Sequence, residues 1–156
     1  MRRIVLCCCA VALVGCSKPK EEPAVDATAA VPETPAAPAP IALADIAGKW
    51  SVRTMAESGD STLVTYDMVA SSDTSGWSIN FPKRKPVPVR VVAVDGDSVV
   101  TEAGPFESAL RKGIKVSTRS VSRIQDGKLV GTTVAHYATS GADSVRNLRF
   151  EGTRAP

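Results

Sequence analysis

No cysteine lies beyond residue 16; all four fall in the stretch CCCAVALVGC, residues 7–16. A domain built from the rest of the chain therefore has no disulfide staple and no thiolate for metal binding or nucleophilic attack. Histidine occurs once, as His136, too little imidazole for a metal shell of the usual kind. Aromatic residues are scarce as well: seven in 156, the first of them Trp50. Stacking platforms for bases need more rings, set closer together. The net charge of +3 is far from the basic stripe that phosphate backbones require, so nucleic acid is not an expected partner. Serine is abundant, yet no G-x-S-x-G pattern occurs, and neither does a phosphate-cradling glycine loop. With no enzyme signature and no cofactor signature, a non-catalytic role is the expectation.

What the chain does have begins at its N-terminus. Met1-Arg2-Arg3 is a short basic start, and Ile4 to Val14 is an unbroken apolar run. That length suits a signal-peptide core and is too short to span a bilayer as a helix. Cys7, Cys8 and Cys9 lack the spacers of a zinc site, and bridges between adjacent cysteines are strained, so here they act as small hydrophobes. Leu13-Val14-Gly15-Cys16 resembles the bacterial lipobox. The resemblance implies a diacylglyceryl group on the Cys16 thiol and removal of residues 1–15 as a signal peptide. It also implies that the new amine is often acylated, by a chain such as palmitate. The membrane then becomes a partner through covalent lipid, and each buried CH2 contributes about 0.8 kcal/mol. Ser17, where Asp would favour inner-membrane retention, leans towards the periplasmic side of the outer membrane. The plainer alternative is an ordinary signal peptide or N-terminal membrane anchor.

Residues 17–44 are rich in Pro, Ala and Glu and contain neither Gly nor an aromatic residue. Such a segment cannot bury enough apolar surface to offset its ordering entropy, so a disordered tether is expected over 16–44. Stiff PPII-like stretches at about 3.1 Å per residue give it an extended reach on the order of 85 Å. A plain spacer is preferred over a strip lying on peptidoglycan.

The remainder, with packing residues from about Ile41 and the domain proper at 45–156, is the size of one domain. Turn-forming clusters recur at 57–60, 71–76, 82–86, 95–97, 103–105, 111–113, 125–127 and 139–143. Between them, residues alternate in character with period two: Val64, Tyr66, Met68; Trp77, Ile79, Phe81; Val87, Val89, Val91; Leu148, Phe150. That alternation predicts strands with one buried face. Eight turns imply about eight or nine strands joined as hairpins, and a long antiparallel meander avoids bare edges by closing. An all-β fold is expected, a small up-and-down barrel or strongly rolled sheet, with one short helical turn near 42–47. Gly48-Lys49-Trp50 resembles the G-x-W that opens the first strand of lipocalins and related calycin barrels. The resemblance implies that Trp50 closes one barrel end and that Arg154, or failing that Arg149, packs across it.

Candidate sites are few. Ile114, Val116, Thr118, Ser120, Ser122 and Ile124 share one face of a predicted strand, with Lys115, Arg119 and Arg123 on the other. If the first face points inward, Thr118, Ser120 and Ser122, with Trp77, Ile79 and Phe81, would face a small apolar or amphiphilic ligand. The bland reading is that these hydroxyls simply pack a tight interior. Lys83-Arg84-Lys85, in the proline-flanked loop PKRKPVP, would contact anionic headgroups or merely blunt a strand edge. Asp95-Gly96-Asp97 reads as a hairpin turn rather than a calcium loop. His136 and Tyr137, as strand neighbours, point to opposite faces, and His136 reads as a surface residue. The sequence thus describes an envelope lipoprotein whose β-domain binds a small amphiphile, or else one that docks a protein partner or the cell wall.

Overall fold

The alternating segments form strands that hydrogen-bond into a closed circle. A computed structural model describes residues 40–156. The expectations for the signal segment, for Cys16 and for most of the tether lie outside the described residues. The order of elements is α1 (Leu43–Ile46), β1 (Gly48–Ala56), β2 (Thr62–Ala70), β3 (Ser78–Asn80), β4 (Val87–Asp95), β5 (Ser98–Glu107), β6 (Lys115–Gln125), β7 (Lys128–Tyr137) and β8 (Val145–Arg154). Each strand pairs antiparallel with the next, and β8 returns to β1 to complete an eight-stranded barrel. Closure gives every strand two neighbours, which shortens the exposed edges, although the three-residue β3 covers only part of the facing edges of β2 and β4.

One of the turn-forming clusters is not a turn. Ala103-Gly104-Pro105 lies inside β5, where the pairing with β6 slips between Ala103 and Phe106. Three steps on β5 face two on β6, which is a β-bulge. Gly104 takes φ +111, and a Cβ there would sit 2.7 Å from the carbonyl oxygen of Val116. Gly and Pro mark the bend because the strand kinks, not because it ends. The count therefore comes to eight strands rather than nine.

The predicted inward faces do point inward. Met68, Trp77, Phe81, Val89, Leu148 and Phe150 are buried, and so are Val99, Val116 and Leu129 from the remaining strands. Outward positions carry charge, arranged as cross-strand triads with a carboxylate in the middle. Glu102 on β5 bridges Arg90 on β4 and Arg119 on β6. Glu151 on β8 bridges Arg53 on β1 and Lys128 on β7. Opposite charges directly across a ladder favour one register over its slipped alternatives.

The connections divide between two ends. Helix α1, the β2–β3, β4–β5 and β6–β7 connections and the end of β8 share one end. The β1–β2, β3–β4, β5–β6 and β7–β8 connections share the other. The described chain enters at the first end, where the Ile41 amide donates to the Gly96 carbonyl.

Hydrogen bonds from Lys128 and Arg53 pull the Glu151 carboxyl down from 4.5 to about 2. A depressed folded-state value contributes stability that is present above pH 4.5 and is lost as pH falls through 2. Glu151→Gln should flatten the dependence of urea midpoint on pH across that window. An unchanged slope would mean that the triad does not act on stability.

Candidate functional site in the barrel interior

The interior has two unlike halves. The half next to α1 is filled. Ile46, Trp50, Val52, Val99 and Leu129 are almost fully buried there, within one cluster that includes Met68, Trp77 and Phe150. Ile41 and Leu43 pack against the same cluster. The indole Nε1 of Trp50 donates to the Ile46 carbonyl at 2.7 Å, so its one polar atom is satisfied inside the plug. The guanidinium carbon of Arg154 lies 4.5 Å from the centre of the Trp50 ring. Its two terminal nitrogens donate to the carbonyls of Ala47 and Asp45, at 2.8 and 2.7 Å. Arg154 thus holds the end of α1 while covering the indole, a geometry that uses both the fork of donors and the cation–π attraction. Gly48 accounts for the first letter of G-x-W. It has φ +130, and a Cβ there would meet Arg154 Nη1 at 2.9 Å. Arg149 lies elsewhere; it pairs with Asp60 beside the β1–β2 connection.

The other half holds a cavity of about 60 Å³. Its apolar wall includes Ile79, Phe81, Phe106, Leu110 and Leu148, and its hydroxyl wall includes Thr54, Tyr66, Thr118, Ser120 and Thr133. No charged side chain lines it. Tyr66, Phe81 and Phe106 form an aromatic arc, with ring centres 5.3 Å and 5.9 Å apart. Ser120 and Thr133 hydrogen-bond each other across β6 and β7 at 2.8 Å. Desolvation pushes the Tyr66 phenol up to about 12, with a hydrogen bond to Thr54 opposing the rise, so Tyr66 stays neutral and protonated at ordinary pH. The site can offer apolar contact and neutral hydrogen bonds but no charge. A water needs roughly 10–15 Å³ of such space, and cavities near 150 Å³ admit benzene. As it stands, this one suits a few waters or a very small molecule.

The β5–β6 connection closes the mouth. Ser108 Oγ accepts from the amides of Leu110 and Arg111, each at 3.0 Å, which folds the segment over. Two arginines tie it down. Arg84 donates to the carbonyls of Glu107 and Ser108 and sits 5.8 Å from the Phe81 ring. Arg111 donates to the Asp143 carbonyl and sits 4.2 Å from the Tyr137 ring.

Of the residues expected to face a ligand, Ile79, Phe81, Thr118 and Ser120 meet at the cavity. Trp77 and Ser122 do not; they are 2% and 4% exposed and lie towards the filled half. In the basic loop, Arg84 turns back onto Phe81, while Lys83 and Lys85 stay exposed. His136 is exposed and Tyr137 buried. Among the described residues, no three His, Cys, Asp or Glu gather as metal ligands. Tyr66 was detectable in the Val64-Tyr66-Met68 alternation. Thr133 becomes visible only through its pairing with Ser120, and Leu110 sits in a connection that carries no periodic signal. A larger hollow of about 480 Å³ lies outside β6, β7 and β8. It is an open stretch of wall crossed by the Lys128–Glu151 pair and lacks an enclosed floor.

No protein-family model matches the chain, and neither does any curated protein or solved structure.

Removing the plug should be costly. Trp50→Ala is expected to lose about 3–5 kcal/mol, the range for large aromatic truncations in a core. Chemical denaturation measures it, and an unchanged midpoint would show that the closed end does not depend on the indole.

Proposed function

We propose that this chain is a lipid-anchored, non-catalytic lipoprotein of the bacterial envelope whose barrel takes up a small apolar or amphiphilic molecule. The observation that carries the reading is the division of the interior, with one half packed solid and the other keeping a hydroxyl-lined cavity of about 60 Å³ beside its own apolar cluster of Val116, Ala135, Tyr137 and Leu148. A barrel evolved only for stability gains nothing from such a cavity, since unfilled core volume lowers stability. The arrangement of Gly48, Trp50 and Arg154 supports a lipocalin-like architecture, in which binding occurs within the barrel. At about 60 Å³ the cavity admits a larger ligand only if Leu110 and its connection swing outward.

The small size of the cavity favours one second reading: a structural lipoprotein whose barrel docks a protein partner or the cell wall. Native mass spectrometry separates the two. The segment 40–156, exported and purified under mild conditions, should carry extra mass that is lost on denaturation. A clean unliganded mass, unchanged after incubation with envelope lipid extract, would overturn the binding reading and leave the structural one.

The anchor is tested independently. Cells fed an alkyne-tagged palmitate should label the full chain, and Cys16→Ser should abolish the label. Equal labelling of both would refute lipidation at Cys16.

A further inference from the structure

The cations of the described barrel differ in their partners. Along the wall, Lys49, Arg53, Arg90, Arg119 and Lys128 each meet a carboxylate, and towards the α1 end only Arg123 and Arg154 make no ion pair among the described residues. At the open end the pattern is different. Lys83, Arg84 and Lys85 on the β3–β4 connection, Arg111 and Lys112 on the β5–β6 connection, and Arg146 at the start of β8 make no ion pair among the described residues. Four acids occupy the same end: Glu57, Asp60, Glu107 and Asp143. Asp60 is already taken by Arg149, and Glu57 accepts from Asn147.

The two arginine ties make these loops one surface. Arg84 joins the β3–β4 connection to the β5–β6 connection, and Arg111 joins the latter to the β7–β8 connection. Both donate to main-chain carbonyls, which orient a guanidinium without neutralising it. Lys83, Lys85 and Lys112 are exposed on the outside. Arg146 lies on the inward register with Leu148, half-buried opposite Ala135. The result is a basic rim around the closed mouth, where Leu110 and Phe106 are half-buried and Phe81 is buried.

We propose that this rim docks the barrel on an anionic lipid surface. A flat array of anionic headgroups matches a rim that spreads its positive charge over three loops. The chain enters at the opposite end of the barrel, and a ten-residue strand spans at most about 33 Å. The stretch between Cys16 and Ile41, on the order of 75 Å at about 3.1 Å per residue when extended, is long enough for the rim to meet a membrane. This inference goes beyond the binding reading and does not depend on a ligand in the cavity.

The test uses segment 40–156, which contains the whole closed barrel and its core. It is mixed with phosphatidylcholine vesicles, with or without phosphatidylglycerol, and sedimented. Binding is expected only with the anionic lipid, and it should fall as salt shortens the screening length. Lys83→Gln, Lys85→Gln and Lys112→Gln together should weaken it by roughly a hundredfold, at about fivefold for each basic residue near such a surface. Arg123→Glu, at the far end, should leave it unchanged, and matching melting curves check the fold of both variants. Equal binding to both vesicle types, an unaffected triple variant, or capture by soluble polyphosphate without vesicle binding would each overturn the proposal.

Discussion

The pairing of β8 with β1 is the constraint on which everything else rests. Seven residue pairs, from Trp50 with Arg154 to Ala56 with Leu148, turn a twisted meander into a closed wall. Without that seam the first and last strands would be bare edges, and the inner face would lie open to water. With it, the polar main-chain groups of the wall find partners in neighbouring strands, and a domain with no cysteine can hold its shape by packing and hydrogen bonding alone.

Closure also creates the functional question. The inward side chains of a closed barrel either fill the interior or leave room. Here both tryptophans gather at one end, with Trp50, Trp77, Leu129 and Phe150 in one cluster and the Arg154 guanidinium over the Trp50 ring. At the other end the same strands present Thr, Ser and Tyr. Hydroxyls satisfied by one another, as Ser120 and Thr133 are, rest comfortably in such a site. They also offer ready partners to a small polar guest.

Much of the fold was legible because strands announce themselves by alternation. The triplets of Val64, Trp77 and Val87 were each assigned to the correct face, and Gly48-Lys49-Trp50 pointed to the closed end with Arg154 across it. The surplus strand came from reading Gly and Pro as a stop, when a bulge uses the same residues. The cavity was only partly legible. Ile79, Phe81, Thr118 and Ser120 share faces that sequence can assign, but the height of each residue along the barrel is set by register. Trp77 and Ser122 are therefore on the correct face and in the wrong half. Leu110 was out of reach for another reason: a connection folded back by one serine hydroxyl has no period to detect.

The seam has a further consequence, for the order of events in time. Arg53 and Glu151 are 98 residues apart in sequence, so the contacts that finish the wall are among the most distant in the chain. Until β8 is available, β1 and β7 each offer an unpaired edge, and the interior stands ajar. Long-range pairings of this kind form slowly and leave partly folded chains exposed to one another. The circle can close only once β8 has been made, and until then a growing copy carries bare edges on β1 and β7.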